Sequence, residues 1–505
     1  MSLVFGFLVP FTAQTLPAVA ASPSAPPLKA GFAERSITPE IGMERPGGYG
    51  KAYHDRLHDP CKVRAAVFDD GEQRVAIVSV DALLVRRQLV QAARQRIAEE
   101  CGIEQDAVLI HATHSHSSGP TGMIYPGEYD EAAEPIRKLA YEKSSNANLG
   151  YVAHVEDQIV EAVSEANRQR TEHQVSFGVG HEDQVAFNRR FHMSNGLTQT
   201  HPRPGNPEIV KVAGPTDPEV GVIGVWDEAG QLTGCLVNFS CHATASPPGI
   251  SANYIYYVEQ VIRGTFGDQC ILVFLAGASG DVTQVENVTD YQARAAEESS
   301  RFVGGCVGAE AVKVLLREPR TGSVKVASKS ETLKIPRRAP SARRVKQCKE
   351  LVDAGPTSVG STVWTFAKEI LLLDAKIQQH PIADAEVQAI QIGPAVLLTD
   401  PAELFCALGL QIKDGSPFPI TFPVSLANGC VGYVPTEEAF GASGGGYETR
   451  LTSYSNLDIK AGRQLVETAI RLANEMQPAA LPTRPAASPY GDNAWQYGAV
   501  PPELD

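Results

Sequence analysis

The densest run of chemically capable side chains is His111-Ala-Thr-His-Ser-His116, followed by Ser117-Ser-Gly-Pro120. Imidazole is a preferred zinc ligand, and a catalytic zinc takes about three protein ligands while keeping one position open for water. Just past the end of a strand, alternate residues can point to one side. His114 and His116 are therefore placed to face one cavity, whereas His111 lies inside the apolar run and reads as structural. The plainer alternative is a cluster that only hydrogen-bonds a loop. His242, at the end of Val237-Asn-Phe-Ser-Cys-His242, would by itself be a satisfied core histidine more often than a ligand. Its place after a second buried run makes it a metal candidate. Gly277-Ala-Ser-Gly-Asp-Val-Thr283 and Asp400-Pro-Ala-Glu403 add hydroxyls and carboxylates after two further apolar runs, and Asp81 closes another.

The elements that must position these groups follow from pattern. Arg74-Val-Ala-Ile-Val-Ser-Val-Asp81 crowds β-branched and apolar residues into one short run, the mark of a buried strand. Leu84 to Glu100 has helical spacing closed by Gly102, and Ala107 to Thr113 is a second strand. Strand, helix, strand with short joints predicts a parallel pair. Further strands are expected at 221–226, 235–240, 270–275 and 395–399, and helices at 151–169, 293–316, 363–379, 402–413 and 459–476; no internal repeat is evident. The expected fold class is α/β: a large mixed sheet core with flanking helices. In open α/β sheets ligands bind beyond the carboxyl ends of the strands, so five polar strand ends form the candidate active site.

In this order the motifs resemble those of the neutral (non-lysosomal) ceramidases. His114-Ser-His-Ser-Ser-Gly-Pro120 is similar to that family's HTHSGP, and Asn188-Arg189 to its Asn-Arg-Ser. Val237 to His242 resembles its strand ending in histidine, and Gly280-Asp-Val-Thr283 its Gly-Asp-Val-Ser. Pro401-Ala-Glu-Leu-Phe405 resembles Pro-Gly-Glu-Phe-Thr, and Gly432-Tyr-Val-Pro-Thr-Glu-Glu438 with Tyr447-Glu448 its tyrosine-bearing stretch. The likeness implies Zn²⁺ held by His114, His242, Glu403 and Tyr447. It implies proton handling at His116, oxyanion stabilisation at Arg189 and a substrate-orienting hydroxyl at Thr283. Without it, Tyr447 reads as a surface tyrosine in the Gly-rich loop 441–446, and Arg189 as one half of a salt bridge. Thr283 stands where those ceramidases usually carry serine. Its extra methyl restricts χ1, which favours a hydrogen-bonding role over a nucleophilic one and leaves water as the attacking group. Cys406-Ala-Leu-Gly409 replaces the Arg-rich run that commonly follows the glutamate motif.

Composition bounds the partners. A formal charge of −14 over 505 residues argues against nucleic acid, whose phosphates need clustered Lys and Arg. The local exception, Arg337, Arg338, Arg343, Arg344 and Lys346, reads as a solvated loop and helix face, with an anion or headgroup contact as the alternative. Residues 1–27 carry an apolar run and Ala18-Val19-Ala20, as a signal peptide and linker would, and imply a secreted or periplasmic protein. Residues 28–477 form the expected hydrolase domain, and 478–505 a Pro-rich tail with Tyr490, Trp495 and Tyr497 that packs as an extended strap. No later segment reaches the ~20 apolar residues of a membrane span. Nine cysteines without CxxC spacing exclude a thiolate zinc ribbon and leave one or two disulfides open. Three functions compete: hydrolysis of an N-acyl sphingoid lipid or related N-acyl compound, metal-dependent hydrolysis of a carboxylic or phosphate ester, and binding on an inactive hydrolase scaffold.

Overall fold

The structure, a computed structural model, describes residues 27–289, 294–483, 498 and 500–505. The apolar run of the N-terminus and the tail aromatics Tyr490, Trp495 and Tyr497 lie outside the described residues. Three sheets build the core, and each repeats one plan. In the first, β1 (Lys29–Ser36), β2 (Lys62–Asp69) and β3 (Arg74–Val80) form an antiparallel meander. Helix α1 (Arg87–Cys101) then crosses back to β4 (Val108–Ala112), which lies parallel to β3. Gly102 ends α1 in the left-handed conformation (φ 64°), its N–H donating to the Ala98 carbonyl, a conformation glycine adopts at little cost. Helix α2 (Leu149–Arg168) lies on β1 and β2 and against α1; the Asn148 side chain caps it by accepting from the Tyr151 N–H.

The second sheet has the same order: β5 (Gln174–His181), β6 (Glu219–Trp226) and β7 (Leu232–Phe239) antiparallel, then α3 (Tyr254–Phe266) and β8 (Ile271–Ala276) parallel to β7. Helix α4 (Ala296–Arg317) packs over α3 and this sheet. In the third, β9 (Val326–Pro336), β10 (Ile382–Ile392) and β11 (Ala395–Thr399) are antiparallel. The long connection between β9 and β10 holds α5 (Ser361–Gln379), α6 (Cys406–Gly415) then crosses to β12 (Ile420–Val424) parallel to β11, and α7 (Ala461–Asn474) covers α6 and β10. The repeat is one of topology. Sequence periodicity misses it because the units share strand order and differ in their connections.

The three parallel strand pairs meet. Ile110, Leu275 and Phe422, one from each sheet's last strand, belong to a single apolar core, and polar side chains stitch them together. Asn238 Nδ2 donates to the carbonyls of Leu275 (3.0 Å) and Pro423 (2.9 Å). Ser79 Oγ (2.7 Å) and His111 Nε2 (2.9 Å) share the Phe274 carbonyl. Burial lowers the His111 pKa to about 4, so the ring is neutral and donates one N–H, a structural role. Buried polar groups with partners specify one packing where apolar residues alone would tolerate several.

Candidate metal centre

Because the parallel pairs converge, the turns that follow β4, β7 and β11 reach one place. His114 ends the β4 turn at φ 64°, a strained value for a residue with a Cβ, and its Nδ1 donates to the Leu83 carbonyl (2.8 Å). His242 follows β7, and its Nδ1 donates to the Ser279 carbonyl (2.6 Å). With Nδ1 protonated on both rings, each Nε2 carries a lone pair. Both face the same carboxylate oxygen, Glu403 Oε2, at 3.2 Å from His114 and 2.9 Å from His242. His116 Nε2 stands 3.2 Å from His114 Nε2. The ligand atoms of His114, His116 and His242 all lie within 4.8 Å of one another, and no other such group of three exists among the described residues. His114, His242 and Glu403 are almost wholly buried, at 4, 1 and 4 % exposure.

Lone pairs that face a carboxylate in a dry interior repel unless a proton or cation lies among them. Protonation is disfavoured: burial and then Arg189 lower the His242 pKa to about 4, and burial with the neighbouring imidazoles holds His116 well below the usual range. For Glu403, burial works to raise the pKa, and the carboxyl stays well below its ordinary value only while positive charge sits at the His114 and His242 nitrogens, which a cation among them would supply. The spacing suits a cation. Two ligands of a tetrahedral zinc with bonds of ~2.0–2.1 Å stand about 3.3 Å apart. The donor set therefore fits zinc.

Around these groups stand tyrosines. Tyr454 OH donates to Glu403 Oε1 (2.8 Å), fixing the carboxylate. The phenol that approaches the imidazoles is Tyr433, whose OH is 3.4 Å from His242 Nε2 and whose ring stacks parallel to His242. Tyr433 is held there by parallel pairing of Tyr433–Val434 with Glu403–Leu404. That pairing also delays α6, expected from residue 402, to Cys406. Tyr447 lies against Tyr433, ring centroids 5.4 Å apart, and its OH meets Tyr49 OH at 3.5 Å. Arg189 Nε is paired with Glu448 (2.8 Å), its Nη2 donates to the Gly280 carbonyl (2.7 Å), and its guanidinium sits 5.4 Å from the Tyr433 ring. The salt bridge and the site are thus one arrangement. Burial would discharge this guanidinium, but Tyr433 and Glu448 overcompensate and keep it charged.

Thr283 is buried on the two-residue strand Val282–Thr283, which pairs with Phe187–Asn188, and the preceding Val282 carbonyl accepts from the His242 N–H (3.0 Å). Two of the carboxylates at these strand ends serve structure instead. Asp81 accepts from the Lys62 N–H and Arg64 Nη1, and Asp400 from the Ala402 N–H and Ser425 Oγ. Tyr433, Tyr454 and Gly47 are additions to the site. Gly47 (φ 108°) packs so close to His116 that a Cβ there would lie 2.4 Å from His116 Nδ1. Tyr433 was visible in the motif Gly432 to Glu438. Nothing local marked the other two. All nine cysteines are free thiols.

No family model and no curated protein sequence matches the chain. Solved structures do. The neutral ceramidase of Pseudomonas aeruginosa superposes with a TM-score of 0.65 at 17% identity, over 91% of this chain and 76% of that one. A structure described as ceramidase complexed with C2 gives 0.65 and 17%, over 90% and 77%. The fold is that of a neutral ceramidase. At this identity the neutral ceramidase likeness concerns architecture, and the α/β core with its repeated sheets accounts for it. No helix among the described residues is long and apolar enough to cross a membrane.

Proposed function

We propose that the protein is a zinc-dependent, ceramidase-like amidohydrolase acting on an N-acyl sphingoid lipid or related N-acyl compound. The carrying observation is the pair of Nε2 lone pairs of His114 and His242 turned on one buried Glu403 oxygen. His114, His242 and Glu403 would hold the ion, with the phenol of Tyr433, 3.4 Å from His242 Nε2, and His116 beside them. When bound, zinc supplies a Lewis acid that polarises a carbonyl and acidifies water at neutral pH.

The chain's own residues do the rest. His116 is neutral at pH 7, so it can take a proton from water and return it to the leaving amine. Arg189, charged and fixed by Glu448 and the Gly280 carbonyl, offers a preorganised cation beside Tyr433 for charge developing on the amide oxygen. Tyr447 and Tyr49 close the aromatic wall on the same side, and Thr283, next to the Val282 whose carbonyl accepts from the His242 N–H, would orient the substrate through its hydroxyl. The test is hydrolysis of a panel of N-acyl sphingosines, N-acyl amino acids and carboxylic esters, before and after chelation. Amide cleavage lost on chelation and restored by zinc is expected; ester cleavage alone, or cleavage indifferent to chelation, contradicts the proposal.

A further inference from the structure

A cavity of about 460 Å³ shares a wall with the metal centre. Tyr454, which lines it, donates to Glu403, and Tyr49, which also lines it, meets Tyr447. Its lining carries charge from three elements: Arg86 just before α1, Arg337 just after β9, and Lys376 on α5. The acids that line it are already engaged. Glu128 is paired with Arg86, Glu369 with Lys368 (3.0 Å), and Asp384 with Lys334 (2.6 Å); Arg87, the remaining cation, is paired with Glu386 (3.1 Å). Arg337 bonds only neutral groups, the His380 carbonyl and Asn456 Oδ1. Lys376 Nζ has no hydrogen bond or ion pair among the described residues. The cavity therefore presents two basic side chains with no acidic partner.

Such an arrangement costs stability unless something neutralises it. Burial and the Arg86 and Arg337 guanidiniums hold the Lys376 ammonium well below its usual pKa. A pocket for two alkyl tails would be lined by apolar side chains, and this one is not. We propose that the cavity is the subsite for an acidic group on the substrate, so that the preferred N-acyl compound carries a carboxylate on its amine part and not a neutral sphingoid base. The proposal rests on the amidohydrolase reading above and narrows its substrate class.

The probe pair is N-lauroylglycine and N-lauroylglycinamide, which differ in the carboxylate alone. Calorimetry on the zinc-loaded protein should show at least tenfold tighter binding of the acid, and Lys376→Met should remove most of that difference while leaving glycinamide binding unchanged. Turnover should follow, with Lys376→Met raising KM for the acid and sparing kcat for both compounds. Because the variant deletes a basic group with no partner, its melting temperature without ligand should rise, whereas loss of a merely structural lysine would lower it. Arg337→Gln should act in the same direction. Equal binding of acid and amide, or equal loss of both in Lys376→Met, overturns the subsite. A carboxylate preference in binding without any hydrolysis would instead defeat the amidohydrolase reading and leave the anion site standing.

Discussion

His116 keeps its ring against His114 because Gly47 leaves room for it. Gly47→Ala would place a methyl 2.4 Å from His116 Nδ1 at a φ of 108°, which is unfavourable for any side chain. The variant should keep its zinc while kcat falls by up to about 100-fold, the scale of an ångström's misplacement of a reacting group; unaltered kcat would remove His116 from proton transfer. The tyrosines are separable in the same way. Tyr433→Phe should weaken zinc binding by about 10- to 100-fold, the usual effect of an oxygen supporting a metal ligand. Tyr447→Phe, which removes the bond to Tyr49, should leave zinc affinity unchanged, and the reverse ranking would make Tyr447 the phenolic contact. The sequence offered both tyrosines in one stretch, and the family likeness pointed to Tyr447 as the ligand. Ranking needs the pairing of Tyr433–Val434 with Glu403–Leu404, a contact across about thirty residues. His114, His242 and Glu403 were legible because each follows an apolar run whose strand character is local.

At the scale of elements, α3 is tied to the first sheet by a buried ionic cluster. Arg64 on β2, 1% exposed, bonds Asp81 (2.8 Å) and Glu259 of α3 (2.5 Å), and Glu259 also takes Lys62 (2.7 Å) and Arg263 (2.6 Å). Burial pushes the Glu259 carboxyl up, but Arg64 and Lys62 together pull it down from 4.5 to about 2. A depressed acid binds fewer protons folded than unfolded. Its stabilisation is therefore complete above pH 4.5 and is lost as the pH falls toward 2. Glu259→Gln should cost on the order of 3–5 kcal/mol at pH 7, because Arg64 is left short of a counter-charge. Its urea-unfolding free energy should also fall less steeply than wild type between pH 4.5 and 2. Parallel slopes would show that Glu259 carries no net stabilisation. The strands and helices that sequence pattern predicted, such as β3–α1–β4 and β11 at 395–399, are those with dense apolar runs and clear stops. The long β9 strand was not expected, because along Val326–Pro336 only Val326 and Ile335 are buried and its pattern is that of a solvated edge. Asp81 was misleading for a related reason: a carboxylate at a strand end looks the same in sequence whether it faces a site or Arg64.

Across the whole molecule, three copies of one strand–helix plan bring their parallel edges together, and turns from all three sheets deliver His114, His242 and Glu403 to one point. No single unit contains the site, so its assembly depends on how the sheets pack. The direct measurement is metal stoichiometry by mass spectrometry on purified protein after exhaustive dialysis. Wild type should retain close to one zinc per chain, and His242→Ala and Glu403→Ala, each folded by circular dichroism, should retain almost none. A wild type that neither holds nor takes up zinc, or variants with undiminished content, would contradict the convergence of these three side chains on one ion.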